Sequence, residues 1–265
     1  MQQITQDSLT AASAGLVHAG LHTSPIRTSG AAPERQRARA KLDVSWATTE
    51  EDIRACQRLR YRVFVDEMGA RLSLPQGSPA GHDIDLYDSY CEHLMVRDVS
   101  DDALGGVVVG TYRVLTPWAA RQTGGLYTET EFDLTRLRTM RGRMAELGRS
   151  CVHEDYRSGA VILALWAALG EFMQRHGLDT MIGCASISMR DGGHVAASLW
   201  RQLSQNHLAP IEQHVRPRLP LPVDELRSDL QVDMPPLIKG YLRCGAKILG
   251  ARPGIRTSTP PTCRC

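Results

Sequence analysis

The stretch Glu146–Leu163 constrains this chain more than any other. Residues 146–153 read as a strand and Arg157-Ser158-Gly159-Ala160 as a tight turn. From Ala160 to Leu169 no residue is charged, which predicts a helix buried on most of its faces. Gly159 lets a ligand approach the backbone, and the first free N–H groups of the helix then point at any anion placed there. The strand carries Glu146 on one face and Arg149 on the other, an unusual load for a buried strand. Two readings stay open: an ordinary βα unit with a structural Glu146–Arg149 pair, or a site for a phosphate-bearing arm.

A chain of 265 residues fits one or two domains and can bury a sizeable core. Its net charge of +2 gives no reason to propose nucleic acid as a partner. Seven cysteines (Cys56, Cys91, Cys151, Cys184, Cys244, Cys263 and Cys265) contain no CxxC pair. That excludes neither a free thiol nor a buried one, but it resembles no disulfide framework or zinc site, so no metal is expected and a reducing cytoplasm fits. The longest uncharged helical run falls short of the ~20 residues of a membrane span. Any membrane contact is therefore expected to be peripheral, at the inner face. Residues 1–40, rich in Ser, Thr, Ala, Gly and Gln, read as a disordered leader, 41–251 as one folded domain, and 252–265 as an aberrant, disordered tail.

Within the domain, Leu42, Val44 and Trp46 alternate like a strand, and Thr48-Thr49-Glu50-Glu51 supplies a helix start. That helix runs to Val65 with Ile53, Cys56, Leu59, Arg60 and Val63 on one side. Arg60 is thus a snorkelling stem or, less commonly, a buried cation awaiting a carboxylate. Residues 82–88 bring Asp83, Asp85 and Asp88 together, without the glycine a calcium loop requires. Residues 91–96 and 106–115 read as antiparallel strands carrying Glu92 and Arg113, and Arg113 is expected to pair with an acid of the 83–88 loop. A loop over 123–132 leads to Arg136, Arg138, Arg141 and Arg143, either a solvated group or a docking site for an acidic protein. Beyond the central unit follow a strand over 178–185, a helix over 195–203, an irregular arm or edge at 214–222 and a helix opened by Pro235 and Pro236.

Leu59–Phe64 (Leu-Arg-Tyr-Arg-Val-Phe), Asp85–Asp88, Gly110–Leu115 and Glu146–Arg149 resemble, in order and spacing, blocks of the acyl-homoserine-lactone synthases of the GNAT-like N-acyltransferase superfamily. The resemblance implies an α/β (α+β) fold with a mixed, mostly antiparallel sheet flanked by helices. It places Arg60, Phe64, Asp85, Asp88, Arg113, Glu146 and Arg149 at recurrent functional positions. Ala70 stands near where those synthases carry a pocket tryptophan, which argues against the lactone reaction. Glu146–His153, Tyr156–Ala160 and Pro235–Arg243 are more specifically similar to ornithine lipid synthases, the hemolysin-like L-ornithine N-acyltransferases.

That resemblance implies transfer of a 3-hydroxy fatty acyl group from acyl carrier protein to the α-amine of ornithine, giving lyso-ornithine lipid. The donor's acyl-phosphopantetheine is then a substrate and no cofactor is bound. Glu146 is the first choice of base, on the strand it shares with Arg149, and Glu92 is the second. Asp85 and Asp88 are expected to hold the side-chain ammonium, Arg113 or Arg60 the carboxylate, and Arg157, Ser158, Gly159 and Ala160 the phosphate of the arm. Another acceptor, such as homoserine lactone, or a silent carrier-binding domain are the alternatives.

Ornithine lipid synthases lead to the expectation of Asp-Phe-Asn-Thr-Ala-Asp in place of the tail. Permitted codons for 252–265, read two bases later, encode that segment, so a frameshift near Ala251 is expected.

Overall fold

A computed structural model describes residues 40–100, 105–250 and the backbone of 262–264. The leader expected over 1–39 and most of the expected tail lie outside the described residues. The principal elements are β1 (Leu42–Trp46), α1 (Glu50–Tyr61), β2 (Glu92–Asp98), β3 (Val107–Leu115), α2 (Pro117–Gln122), α3 (Thr128–Glu131), β4 (Phe132–Asp133), β5 (Met144–Val152), α4 (Ala160–Arg175), β6 (Thr180–Ile182), β7 (Ser186–Ser188), α5 (His194–Asn206), β8 (Arg216–Pro217), α6 (Pro236–Arg243) and β9 (Thr262–Arg264). Sheet order is β1-β2-β3-β5-β6, antiparallel except for the parallel β5–β6 pair. This mixed, mostly antiparallel sheet flanked by helices is a GNAT-like architecture.

Local chemistry starts the first helix. The Thr49 hydroxyl accepts from Asp52 N at 3.2 Å, and the Asp52 carboxylate accepts from Thr49 N at 3.0 Å. Glu50, Glu51 and Asp52 also place negative charge at the N-terminal end of the dipole. Alternation along β2 then sorts the core into two layers. Leu94 and Val96 pack with Tyr112, Val161, Leu165 and Leu169 beneath α4. Met95 packs with Cys56, Leu59 and Val63 beneath α1. A side chain at Gly110 would run into Val161, so the glycine is what seats α4 close on the sheet.

Several expectations are corrected. The uncharged helix α4 buries one stripe, Val161, Leu165, Leu169, Phe172 and Met173, while Leu163 stays 44% exposed. Lack of charge therefore did not mean burial all round. Residues 178–185 do not form one strand; β6 ends at Ile182 and β7 begins at Ser186. The expected 123–132 loop contains the one-turn helix α3. Of the two readings of 214–222, the edge holds at Arg216–Pro217, where β8 pairs with β4. At the tail, the backbone of β9 pairs antiparallel with β7.

Two departures from regular pairing shape the centre of the sheet. Strand β5 pairs with β6 over Met144–Glu146 and, among the described residues, continues without a partner strand on that side to Val152. On its other side Gly148 opposes Arg113 and Cys151 opposes Thr111, so Arg149 and Ser150 together oppose Tyr112. This is a β-bulge, and Arg149 holds φ at 51° within it.

Candidate active site

Beside the bulge, α1, the 83–88 loop, β3 and β5 bring three arginines and three aspartates into one network. Arg60 Nε lies 3.1 Å from Asp83 Oδ2, and its Nη2 lies 2.7 Å from Asp88 Oδ2 and also donates to the Asp83 carbonyl. Arg113 Nη1 donates to Asp85 Oδ1 at 2.6 Å and to Asp88 Oδ1 at 2.9 Å. Arg149 lies 3.5 Å from Asp83 through Nε and 3.4 Å from Asp85 through Nη2. The formal charges cancel, which is what permits ions this deep inside a protein.

Burial works against ionisation of Asp88, yet Arg60 and Arg113 hold its carboxyl well below the usual carboxylate range. Asp85 is likewise lowered: burial opposes the shift, and Arg113, then Arg149, overcome it. Burial pulls the arginines down, but Asp88 and Asp83 raise Arg60, and Asp85 raises Arg113. His93, lowered by burial, donates from Nε2 to the Asp88 carbonyl at 2.9 Å as a neutral ring.

Arg60 is therefore the rarer of its two expected forms, a buried cation met by carboxylates, and it is 0% exposed. It presents no surface to an acceptor's carboxylate. Asp88 is also enclosed, since its oxygens take Arg60, Arg113, Gln57 Nε2 at 3.3 Å and Asp85 N at 3.2 Å. Arg113 pairs with the 83–88 loop as expected. The part of the network left open is its rim: Asp85, Arg149 and Phe64, whose ring centroid lies 6.0 Å from Arg149 Cζ.

Glu146 does not pair with Arg149. Its Oε2 accepts from Tyr127 N at 2.6 Å, and its Oε1 accepts from Thr128 N at 2.6 Å and from the Thr128 hydroxyl. The buried carboxylate thus clasps the start of α3 across 18 residues of chain. Burial raises its carboxyl, against the opposing pull of the Thr128 hydrogen bonds. Register puts Glu146 on the Arg113 face of the sheet, because Leu115 opposes Glu146 and Gly148 opposes Arg113. Glu92 is not part of this assembly. It is exposed and opposes Val114, so it lies on the face opposite that of His93 and Arg113.

At the far end of β5, Gly159 adopts φ 107° and α4 begins at Ala160. The first intrahelical bond is Leu163 N to Gly159 O at 3.1 Å, which leaves the preceding N–H groups without partners inside the helix. Arg157 braces the turn, with Nε on Val152 O at 3.0 Å and Nη2 on Glu67 at 2.5 Å. Ser158 is exposed beside it. Glu67 belongs to a π-helical turn, Arg62–Glu67, that continues α1 and also carries Phe64.

The residues that sequence reasoning left without a role are Asp83, Gln57, His93 and Thr128. Asp83 was visible as a member of the acidic cluster. The other three carry no local signal: Gln57 reaches Asp88 from α1, strand register brings in His93, and the one-turn helix α3 brings in Thr128.

A model of the GNAT acetyltransferase domain matches residues 59–167. The L-ornithine N(alpha)-acyltransferase of Agrobacterium fabrum (strain C58) is 38% identical over 218 residues, covering 77% of this chain and 73% of that protein. The same-named protein of Brucella abortus (strain 2308) is 37% identical over 222 residues, covering 78% and 77%. Among solved structures, the AHL synthase LasI aligns at 16% identity and a TM-score of 0.39, over 60% of this chain and 79% of that one. At the identity and coverage of the two L-ornithine N(alpha)-acyltransferases, the chain belongs to the same family of GNAT-like N-acyltransferases as these curated relatives, enzymes that acylate amines.

Proposed function

We propose that this enzyme moves a 3-hydroxy fatty acyl group from the phosphopantetheine thioester of acyl carrier protein to the α-amine of L-ornithine, forming lyso-ornithine lipid. The observation that carries the reading is the 38% identity to a curated L-ornithine N(alpha)-acyltransferase over 77% of the chain.

The thioester is already activated, so the protein's work is to position a neutral amine and polarise a carbonyl. The amine nitrogen attacks the carbonyl carbon, the C–N bond forms, and the C–S bond breaks to release the thiol of the carrier. Ornithine's α-amine is largely protonated at neutral pH, so a base must first accept a proton. Glu146, directly or through water, takes that part: burial raises its carboxyl, and its three donors leave acceptor capacity on its two oxygens. Asp85 at the open rim offers a carboxylate to the side-chain ammonium, and Arg149 beside it a guanidinium to the acceptor's carboxylate. The turn Arg157–Ala160 receives the single phosphate of the arm, and the open seam between β5 and β6 receives the arm itself.

The test uses purified enzyme with 3-hydroxyacyl carrier protein and, separately, the matching acyl-coenzyme A, each with ornithine, lysine or homoserine lactone. Thiol release and product mass are measured. Ornithine with the carrier-bound donor is expected to give the fastest release and an N-acylornithine mass. Faster release with another amine would replace the acceptor, and faster release from coenzyme A would replace the donor.

A further inference from the structure

We propose that the surface made by the 86–90 turn, α2 and the Arg136–Arg143 segment is an interface for an anionic lipid bilayer. Helix α2 sits beside both the Asp88–Tyr90 turn and the Arg141–Arg143 turn, so these pieces adjoin one another through α2. It carries unusually exposed apolar groups: Trp118 at 64%, Leu86 at 62% and Tyr90 at 45%. Ile211, at 66%, adjoins them through its carbonyl, which accepts from Arg136 at 2.7 Å. Single exposed apolar residues are ordinary. Several on neighbouring turns, interleaved with arginines, are the pattern of a membrane interface.

The charge of the face fits the same occupant. Arg121, Arg136, Arg138, Arg141 and Arg143 are all exposed. Arg141 and Arg143 meet acids, at Glu129 and Asp179, and Arg143 keeps 67% of its side chain in solvent. The surplus is positive, as contact with anionic headgroups requires.

Position argues against the acidic carrier protein as the occupant. The basic group precedes Met144 at the start of β5, whereas the Gly159 turn follows its end. Nine strand residues separate the two by roughly 30 Å at about 3.3 Å each. A cleft of about 370 Å³ also opens within this face, between α2 and the Arg141–Met144 segment. Ala120, Leu126 and Met144 form its apolar wall, and Met144 lies two residues before Glu146 on β5. An acyl chain leaving the catalytic strand by this cleft emerges into lipid rather than water. The need for such an exit rests on the lipid-forming reading above; the surface itself does not.

The experiment is co-sedimentation of the full-length enzyme, without substrates, with vesicles of phosphatidylcholine alone or mixed with phosphatidylglycerol. Binding is expected only to the mixed vesicles, weakened by added salt. Trp118→Ala and the double variant Arg121→Glu/Arg138→Glu should each cut that binding by about tenfold or more, with turnover on soluble substrates unchanged. The two variants are independent, so one that fails to fold leaves the other to decide. Absence of wild-type binding, or equal binding by the folded variants, overturns the proposal. Unchanged vesicle binding with a raised KM for the carrier-bound donor assigns the face to the carrier protein instead. Vesicle binding without ornithine turnover would keep this surface and overturn the acceptor reading.

Discussion

Arg149 meets Asp85 at 3.4 Å, Nη2 to Oδ2, although strand alternation from Glu146 sends position 149 to the opposite face of the sheet. The bulge against Tyr112 resolves the conflict: with φ at 51°, Arg149 turns toward the face that carries Arg113. Left-handed backbone costs an L-residue about 1–2 kcal/mol, so the guanidinium is held there at the expense of local strain.

Comparison of two truncations reads that strain directly. Arg149→Gly and Arg149→Ala both remove the guanidinium, but only alanine keeps a Cβ at positive φ. The glycine variant should be the more stable by about 1 kcal/mol in urea unfolding. Equal stabilities would mean that the conformation at 149 is unstrained.

Asp88 bridges Arg60 and Arg113, both nearly inaccessible to water. Asp88→Asn preserves shape and removes the charge, leaving buried cations under-compensated. The expected loss is about 3–5 kcal/mol of unfolding free energy, the scale for breaking a buried pair from one side. Asp85→Asn, at the open rim, should cost less. Reversal of that order would show that depth in the network does not set the energy.

Acidification separates the two kinds of buried carboxyl. Asp88 and Asp85 are depressed in the folded state, so their stabilisation is present above the unfolded carboxyl value of about 3.9 and is lost as pH falls through their folded values. Glu146 is raised, so its contribution has the opposite sign: it is present below the unfolded value of about 4.3 and is lost as pH rises through the folded one. Relative to Asp88→Asn, the wild type should lose stability below about pH 4. Relative to Glu146→Gln, it should gain stability as pH falls from neutrality toward about 4.3. Urea midpoints across this range test both slopes, and parallel curves would contradict them.

How far the site could be read depended on whether its signal was local. Thr49 and Asp52 announce a helix start within four residues, and the alternating strands around Arg113 announce their own pairing. Arg60 on an apolar helix face stated the problem, and the 83–88 acids were its solution, but joining them required the fold. Gly148 marks the place of the bulge, but nothing in the sequence shows that the left-handed position itself falls on Arg149. Glu146 looked like half of a pair with Arg149 because α3, only one turn long, leaves no periodicity to detect.

Glu146 clasps α3, the proposed reaction adds the acceptance of the amine's proton, and two variants divide the two duties. Glu146→Gln keeps one carbonyl oxygen for Thr128 N but turns a donor toward Tyr127 N, and it cannot accept a proton at neutral pH. Turnover should fall by about a hundredfold or more, and the acidic limb of the pH–rate profile should flatten. Thr128→Ala leaves the carboxyl in place and removes the hydroxyl that favours its charged form. That variant should retain most of its kcat while its acidic limb moves to higher pH, because Glu146 then holds its proton more tightly. Thiol release followed against pH measures both. Glu146→Gln turnover within a few-fold of wild type, in a folded protein, would leave Glu146 only its grip on α3 and move the proton acceptor elsewhere.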